Sequence, residues 1–295
     1  MGIPYYIFTH GQMDPWFSKE YPIKTFFKRI FWRLLEHRVV RDARRVLYTT
    51  QDEQILAEKA FKPFLGKGHV VGYGTAPPPR ETPEFRAAFE KATPQLNGRP
   101  YLLFMSRIHP KKGCDILIQA FAALAHIRPD LQLVIAGPDE LGLQQKLAAL
   151  AERLGIGERV HWPGMLVGEA KWGAYYGAEG FVLSSHSENF GIVVAEAMGC
   201  GRPVVITDKV NIWREVADSA SGIVGGDTIE GYTRALESFI RLEPSERAAM
   251  GQRAQRTFNV AFHIDAAVQN LIDIILATSK ERPGAARSPS KNVAA

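Results

Sequence analysis

From residue 100 onward, short apolar segments alternate regularly with amphipathic ones, and this alternation constrains the fold more than any other feature of the sequence. Strands are predicted at 101–105, 131–136, 159–162, 180–183 and 203–207, and helices at 114–127, 143–154, 169–176 and 191–198. Short apolar strands separated by helices predict a parallel α/β sheet that helices cover on both faces. Because ligands of such sheets bind beyond the carboxyl ends of the strands, the loops after Met105, Gly137, Trp162 and Leu183 are the candidate ligand loops.

The rest of the chain predicts a second domain and a helical end. The 295 residues are enough for two domains. Before residue 100 we predict strands at 5–9, 46–50 and 69–73, helices at 26–35 and 52–61, and a hinge at the prolines of 76–80. After residue 207 we predict helices at 229–240, 245–258 and 263–277.

Composition excludes several classes of protein. Hydrophobic residues make up 46% and charged residues 23% of the chain, which is the balance of an ordinary globular protein. No apolar run reaches the length of a membrane-spanning helix, and the first residues lack the pattern of a signal peptide. Cys114 and Cys200 have no metal-ligand or disulfide spacing, so the sequence favours a reducing cytoplasm.

Positive charge is concentrated in one segment. Residues 24–45 contain eight Lys and Arg against two acidic residues, in a chain whose net charge is +5. One interpretation is a helix that faces the core and leaves its charged side in water. The other is a surface that approaches anionic lipid. Nucleic-acid binding is not favoured, because no matching fold or aromatic platform accompanies the charge.

A polar loop followed by a helix carries the most informative motif, in the sequence Ser-Glu-Asn-Phe-Gly at 187–191. Glu188 lies in the loop, and Glu196 lies eight positions later inside the helix. The amino-terminal end of such a helix offers backbone N–H groups and a positive dipole end that suit a phosphate. Two other readings stay open, a capping role for Glu188 and a pairing of Glu196 with a basic side chain.

This segment resembles the Glu-x7-Glu motif of the retaining, nucleotide-sugar-dependent glycosyltransferases of family 4, including the Glu-Ala-Met and Pro-Val-Val stretches that follow. The resemblance implies the two-domain GT-B fold. It also implies that Glu188 contacts the donor sugar and that Glu196 holds the ribose hydroxyls. The backbone of Phe190, Gly191 and Ile192 would face the sugar and the diphosphate.

A second motif follows the strand at 101–105. Residues 106–113 resemble the family's Gly-Arg-x-x-x-x-Lys-Gly loop, with Ser106 in place of the usual glycine. The resemblance implies that Arg107 and Lys112 bind the donor diphosphate and that neither a metal ion nor a cofactor is needed. The loop after Gly164 contacts the nucleobase in the family, which points to Leu166.

The beginning of the chain carries a third match. Residues 9–16, Thr-His-Gly-Gln-Met-Asp-Pro-Trp, look like the family's His-Gly-Met-x-Asp-Pro-Trp loop, in which the histidine assists catalysis or acceptor placement. His10 takes that place; the alternative is a histidine on a polar surface. The glycine-rich loop and several βα units that precede this point in the family are not in the sequence, so we expect two Rossmann-like domains of which the first is incomplete.

The resemblance also predicts the division of the chain. Residues 1–97 would form a partial acceptor-side domain and 98–262 the nucleotide-sugar-binding domain, while 263–279 would form a helix that packs back toward the first domain and 280–295 a disordered tail. The expected reaction moves a sugar, with retention, from a UDP-, GDP- or ADP-sugar to a carbohydrate or lipid-linked acceptor hydroxyl. We expect it to serve polysaccharide or glycolipid synthesis in the cytoplasm, at the inner face of the cell membrane. The alternatives are an inactive nucleotide-sugar-binding fragment or subunit and, less favoured, a phosphorylase or epimerase.

Overall fold

The computed structural model describes residues 3–16 and 22–279, which divide into two compact units. Unit 1 contains the residues up to Gly72 together with those from Ala267, and unit 2 spans Tyr73–Ala266. The tail predicted at 280–295 lies outside the described residues.

Unit 1 contains a three-stranded parallel sheet in the order β1-β2-β3. Its strands are β1 (Tyr6–Phe8), β2 (Arg45–Tyr48) and β3 (Gly68–Val70), and its first helices are α1 (Pro22–Phe31), α2 (His37–Asp42) and α3 (Gln51–Ala60). Thr50 caps α3, because its side chain accepts a hydrogen bond from the backbone N–H of Glu53. The core of this unit includes Trp32 and Phe61, which pack against the buried side chains of β2.

The apolar side of α1 is exposed, contrary to the interpretation of this helix as core-facing. Phe26 is 62% exposed, Phe27 is 64% exposed and Phe31 is 57% exposed. A π-helical turn at Trp32–Glu36 follows α1 and changes the helical period, and the side chain that reaches the core from this turn is Trp32.

Unit 2 contains a six-stranded parallel sheet in the order β6-β5-β4-β7-β8-β9. Its strands are β4 (Tyr101–Met105), β5 (Gln132–Ala136), β6 (Val160–Gly164), β7 (Gly180–Leu183), β8 (Val204–Thr207) and β9 (Gly222–Gly225). Its helices are α4 (Pro83–Ala92), α5 (Cys114–Ala123), α6 (Gln144–Arg153), α7 (Gly168–Gly177), α8 (Ile192–Gly199), α9 (Trp213–Asp218), α10 (Ile229–Ile240) and α11 (Pro244–Thr257). Every residue of β4 and β5 is buried, as expected of a sheet with helices on both faces.

The order of these strands reverses between β4 and β7. The chain first proceeds outward through β5 and β6, then returns to the other side of β4 and proceeds through β7, β8 and β9. The carboxyl ends of β4 and β7 therefore form a topological switch point, the place where open α/β sheets bind ligands.

Residues 73–97 belong to unit 2, although the sequence predicts a boundary at residue 98. The reason is the close packing of α4 on α7. Gly173 leaves no room for a side chain, because the backbone of Phe85 lies against it. The hydroxyl of Tyr176 also donates to the carbonyl oxygen of Pro79 at 2.8 Å.

The last described helix is α12 (Ile264–Ser279), and from Ala267 onward it belongs to unit 1. The hydroxyl groups of Tyr6 and Thr278 lie 2.6 Å apart, and Ile274 shares a small cluster with Leu47 and Val71. This part of the carboxyl-terminal helix therefore packs on the strands of the amino-terminal sheet. Within the residues that the structure describes, no helix is both long and apolar enough to cross a membrane.

Candidate functional site

Two loops meet at the switch point of unit 2, one after β4 and one after β7. The loop after β4 contains a short 3-10 helix, Pro110–Lys112. The side chain of His109 caps this helix by accepting a hydrogen bond from the backbone N–H of Lys111. The backbone N–H of His186 donates to the carbonyl oxygen of Lys111 at 2.8 Å. The hydroxyl of Ser184 donates to the carbonyl oxygen of Gly113 at 2.7 Å. These bonds lock the two motif-bearing loops together.

Gly113 allows this contact. Its φ is +61°, in the left-handed region, and a Cβ atom at this position would collide with the backbone carbonyl of Ser184. A glycine is therefore required both for the turn and for the close approach of the second loop. Helix α5 begins at the next residue.

Lys112 and Glu188 form an ion pair across the two loops. Their side chains are only 10% and 20% exposed, respectively. The backbone N–H of Glu188 donates to the carbonyl oxygen of Lys209 at 2.8 Å, and its carbonyl oxygen accepts from the N–H of Asn211 at 3.0 Å. The loop after β8 thus fixes the backbone of Glu188, and Lys112 in the loop after β4 neutralises the charge of its side chain.

Glu188 does not cap α8, so that interpretation of the motif is wrong. The residue before the helix is Gly191, at a φ of +81°, and no side chain caps the first turn. Phe190 is buried against the rings of Tyr73 and Phe262, at centroid distances of 5.2 Å and 5.5 Å. Because its side chain is engaged in the core, Phe190 can offer a ligand only its backbone, whereas Ile192 is 43% exposed.

Glu196 lies in α8, and side chains from α7 hold both of its carboxylate oxygens. Lys171 Nζ lies 2.6 Å from Oε1, and the Tyr175 hydroxyl donates to Oε2 at 3.0 Å. Burial, and then the nearby Glu196 charge, raises the pKa of Tyr175, so its hydroxyl keeps its proton and donates. The predicted pairing of Glu196 with a basic side chain is thus present, but neither Lys171 nor Tyr175 was predicted as its partner. The sequence feature that could have indicated them is their i, i+4 spacing, which puts both on one face of α7.

Arg107 follows β4 and Leu166 follows β6, at the same edge of the sheet, with β5 between these two strands. Arg107 is exposed, and among the described residues its side chain forms no ion pair. Burial, followed by the charges of Arg107 and Lys112, lowers the pKa of His109, so this histidine is held neutral within a positive loop. Leu166 is 8% exposed, whereas Met165 and Val167 beside it are 67% and 61% exposed.

His10 belongs to unit 1, whereas the other predicted site residues belong to unit 2. It follows β1 with a φ of 44°, an uncommon value for a residue other than glycine. Its ring stacks on Phe8 with centroids 4.6 Å apart. The hydroxyl of Thr9 beside it donates to the Glu53 carboxylate at 2.6 Å, which anchors this loop. Over the described ranges 3–16 and 22–279, no three His, Cys, Asp or Glu side chains are grouped so as to hold a metal ion.

The sequence of unit 2 matches a known family of proteins. The family model "Glycosyl transferases group 1" matches residues 85–257, which include both loops, α7 and α8. The chain belongs to this family.

Relatives within glycosyl transferases group 1 include two D-inositol 3-phosphate glycosyltransferases. The protein from Kribbella flavida is 32% identical over 235 residues, which are 75% of this chain and 54% of the relative. The protein from Mycobacterium marinum is 29% identical over 259 residues, which are 84% of this chain and 52% of the relative. The chain therefore spans about half the length of the curated relatives it matches.

Solved structures of glycosyltransferases confirm the predicted fold. HepE of Anabaena in complex with UDP has a TM-score of 0.75 at 20% identity, over 93% of this chain and 72% of that chain. WaaG, a glycosyltransferase involved in lipopolysaccharide biosynthesis, has a TM-score of 0.62 at 20% identity, over 79% of this chain and 62% of that chain. At this level of identity they show the fold, which is the α/β, GT-B type with parallel sheets.

Proposed function

We propose that this chain acts in a retaining glycosyltransferase of family 4 that moves a sugar from a nucleotide-diphospho-sugar to an acceptor hydroxyl. The observation that carries the proposal is the ion pair of Lys112 with Glu188 at the switch point, beside the uncapped start of α8. A cation and a carboxylate thus lie beside a helix amino terminus, which supports a phosphate-binding role for Lys112 and a sugar-binding role for Glu188.

Each motif residue has a role in this proposal. Arg107, Lys112 and the backbone of Phe190, Gly191 and Ile192 bind the diphosphate. Glu188 binds and polarises the sugar, Glu196 binds the ribose, and Leu166 contacts the nucleobase. As the bond from the sugar to the diphosphate breaks, negative charge grows on the leaving group and its attraction to Lys112 and Arg107 increases. These side chains therefore lower the barrier as well as bind the donor, without a metal ion.

Retention follows if the acceptor attacks the face that the diphosphate leaves. The departing phosphate then accepts the proton of the acceptor hydroxyl, and Glu188 stabilises positive charge on the sugar without forming a bond to it. His10 would assist this step or place the acceptor. Asn tolerates the left-handed backbone at this position, so His10→Asn should lower turnover by about 10²-fold or more and leave nucleotide affinity unchanged.

The proposed acceptor is a carbohydrate or a lipid-linked molecule, and the exposed side of α1 supports a peripheral membrane contact at the cytoplasmic face of the membrane. Phe26, Phe27 and Phe31 are exposed on a helix that also carries Lys24 and Lys28. Aromatic side chains beside cations suit the interface of an anionic bilayer. Binding to vesicles of phosphatidylglycerol but not to phosphatidylcholine vesicles, lost in Phe26→Ser/Phe27→Ser, would support this contact.

Calorimetric titration of the chain with UDP, GDP and ADP, without added metal, tests the central proposal. Micromolar binding of one of them names the base, and turnover with the corresponding sugar series then follows. Binding without turnover would support the alternative of a catalytically inactive nucleotide-sugar-binding protein. A folded chain that binds none of the three would overturn the proposal.

A further inference from the structure

Lys171 and Tyr175, one helical turn apart on α7, donate hydrogen bonds to the two carboxylate oxygens of Glu196. We propose that Lys171 is a positioning residue that orients the Glu196 carboxylate toward two neighbouring hydroxyl groups of the ribose. The inference rests on the proposed function, in which Glu196 binds the ribose.

The hydrogen bonds fix the carboxylate plane. Lys171 Nζ lies 2.6 Å from Oε1 and the Tyr175 hydroxyl lies 3.0 Å from Oε2, so rotation of the carboxylate would break both contacts. A carboxylate offers about four acceptor positions, two on each oxygen. With one position of each oxygen occupied from α7, each oxygen retains capacity for one further donor. Two donors on adjacent carbons, such as vicinal hydroxyls, match that remaining capacity.

Lys171 also removes an electrostatic obstacle. Glu196 is 8% exposed and lies in an otherwise apolar helix, where an unpaired carboxylate would repel an approaching diphosphate. Pairing with Lys171 neutralises the charge of this carboxylate. The Lys171 ammonium lies 4.5 Å from the centroid of the Trp172 ring, a contact that holds the lysine side chain in place.

A lysine that only joins α7 to α8 would behave differently from a positioning residue. Loss of a purely structural contact would lower stability and weaken all nucleotides to the same extent. Loss of a positioning contact weakens the nucleotides that carry the hydroxyls bound by Glu196 more than it weakens their deoxy counterparts. The preference for a ribonucleotide over its deoxy counterpart therefore separates the two roles.

The test is a calorimetric comparison of UDP, GDP and ADP with their 2′-deoxy and 3′-deoxy counterparts. In the wild-type chain we expect the ribonucleotide to bind at least about tenfold more tightly than either deoxy form, which corresponds to about 1.4 kcal/mol. Lys171→Met should weaken all forms through the unpaired charge of Glu196, and in addition it should reduce this preference to about twofold or less. Lys171→Arg keeps the cation and should retain most of the preference, and Tyr175→Phe, which keeps the buried ring, should reduce it in part.

The exposed Lys91 of α4 provides a matched control, and Lys91→Met should leave the preference unchanged. An unchanged preference in Lys171→Met, or an equal loss for ribose and deoxyribose forms, would overturn the inference and leave the proposed function in place. If the wild-type chain binds none of the three diphosphates, the proposed function fails and the inference fails with it.

Discussion

The side chains of Lys112 and Glu188, 76 positions apart in sequence, form an ion pair in which each neutralises the charge of the other. Both are largely buried, so neither charge is fully hydrated. In the proposed reaction Lys112 binds the diphosphate and Glu188 binds the sugar. A donor that enters must therefore replace part of this ion pair with its own phosphate and hydroxyl groups, and the two residues should respond to substitution in opposite ways.

Substitution of the lysine should weaken nucleotide binding. Lys112→Met leaves Glu188 unpaired and negative beside the diphosphate, so the affinity for the nucleoside diphosphate should fall by about 10- to 150-fold, or about 1.5–3 kcal/mol. Calorimetric titration measures the change. Lys111→Met, one residue earlier in the same loop, is the matched control. Equal affinities of wild type and Lys112→Met would exclude Lys112 from the phosphate site.

Substitution of the glutamate should separate binding from turnover. Glu188→Gln removes the charge that competes for Lys112, so the nucleoside diphosphate should bind at least as tightly as to the wild type. Turnover of the nucleotide-sugar should fall by about 10²-fold or more, because the developing positive charge on the sugar loses its partner. Steady-state assays beside calorimetry distinguish the two effects. A variant that loses affinity and keeps its kcat would contradict the assigned role.

The local pattern of the sequence was enough to predict much of the fold of unit 2. Strands β4 and β7 begin and end where the apolar runs do. Helix α4 was not predicted, although Pro83 follows Thr82 as at many helix starts, because the three prolines at 77–79 suggested only a linker. Strand β9 was also not predicted, because its two glycines weaken the strand signal.

Only part of the candidate site could be predicted from the sequence. The loops that carry Lys112 and Glu188 could be predicted, because their motifs follow strands in a parallel sheet. The contacts of Glu196 could not. Lys171 and Tyr175 precede Glu196 by 25 and 21 positions and lie on another helix, and the rotation of one helix against another is decided by packing.

Gly113 should be far less tolerant of substitution than a glycine with similar backbone geometry. Gly142 has a φ of +65° and nothing near its missing Cβ atom, whereas the Cβ atom at Gly113 would meet the Ser184 carbonyl. Gly142→Ala should therefore cost only the left-handed backbone penalty of about 1–2 kcal/mol. Gly113→Ala should cost more and should also weaken nucleotide binding, because the two loops must separate. Urea denaturation measures the loss of stability, and calorimetry measures the loss of nucleotide affinity. Equal losses of stability in Gly113→Ala and Gly142→Ala would contradict the predicted collision.

His161 should make the stability of unit 2 depend on pH. Burial lowers the pKa of this histidine, whose Nε2 atom lies 3.0 Å from Gln132 Oε1 on the neighbouring strand. In the unfolded chain a histidine has a pKa of about 6.5, so below that pH the unfolded state binds a proton that the native state does not. The free energy of unfolding should therefore fall as the pH decreases from about 6.5 toward the lower pKa of the native state, by up to about 1.4 kcal/mol per pH unit.

His161→Gln should flatten this part of the plot of unfolding free energy against pH, whereas His126→Gln, at an exposed position, controls for the loss of a histidine. If the free energy of unfolding depends on pH in the same way in wild type and His161→Gln between pH 7 and about pH 5, the titration of His161 does not cause the pH dependence.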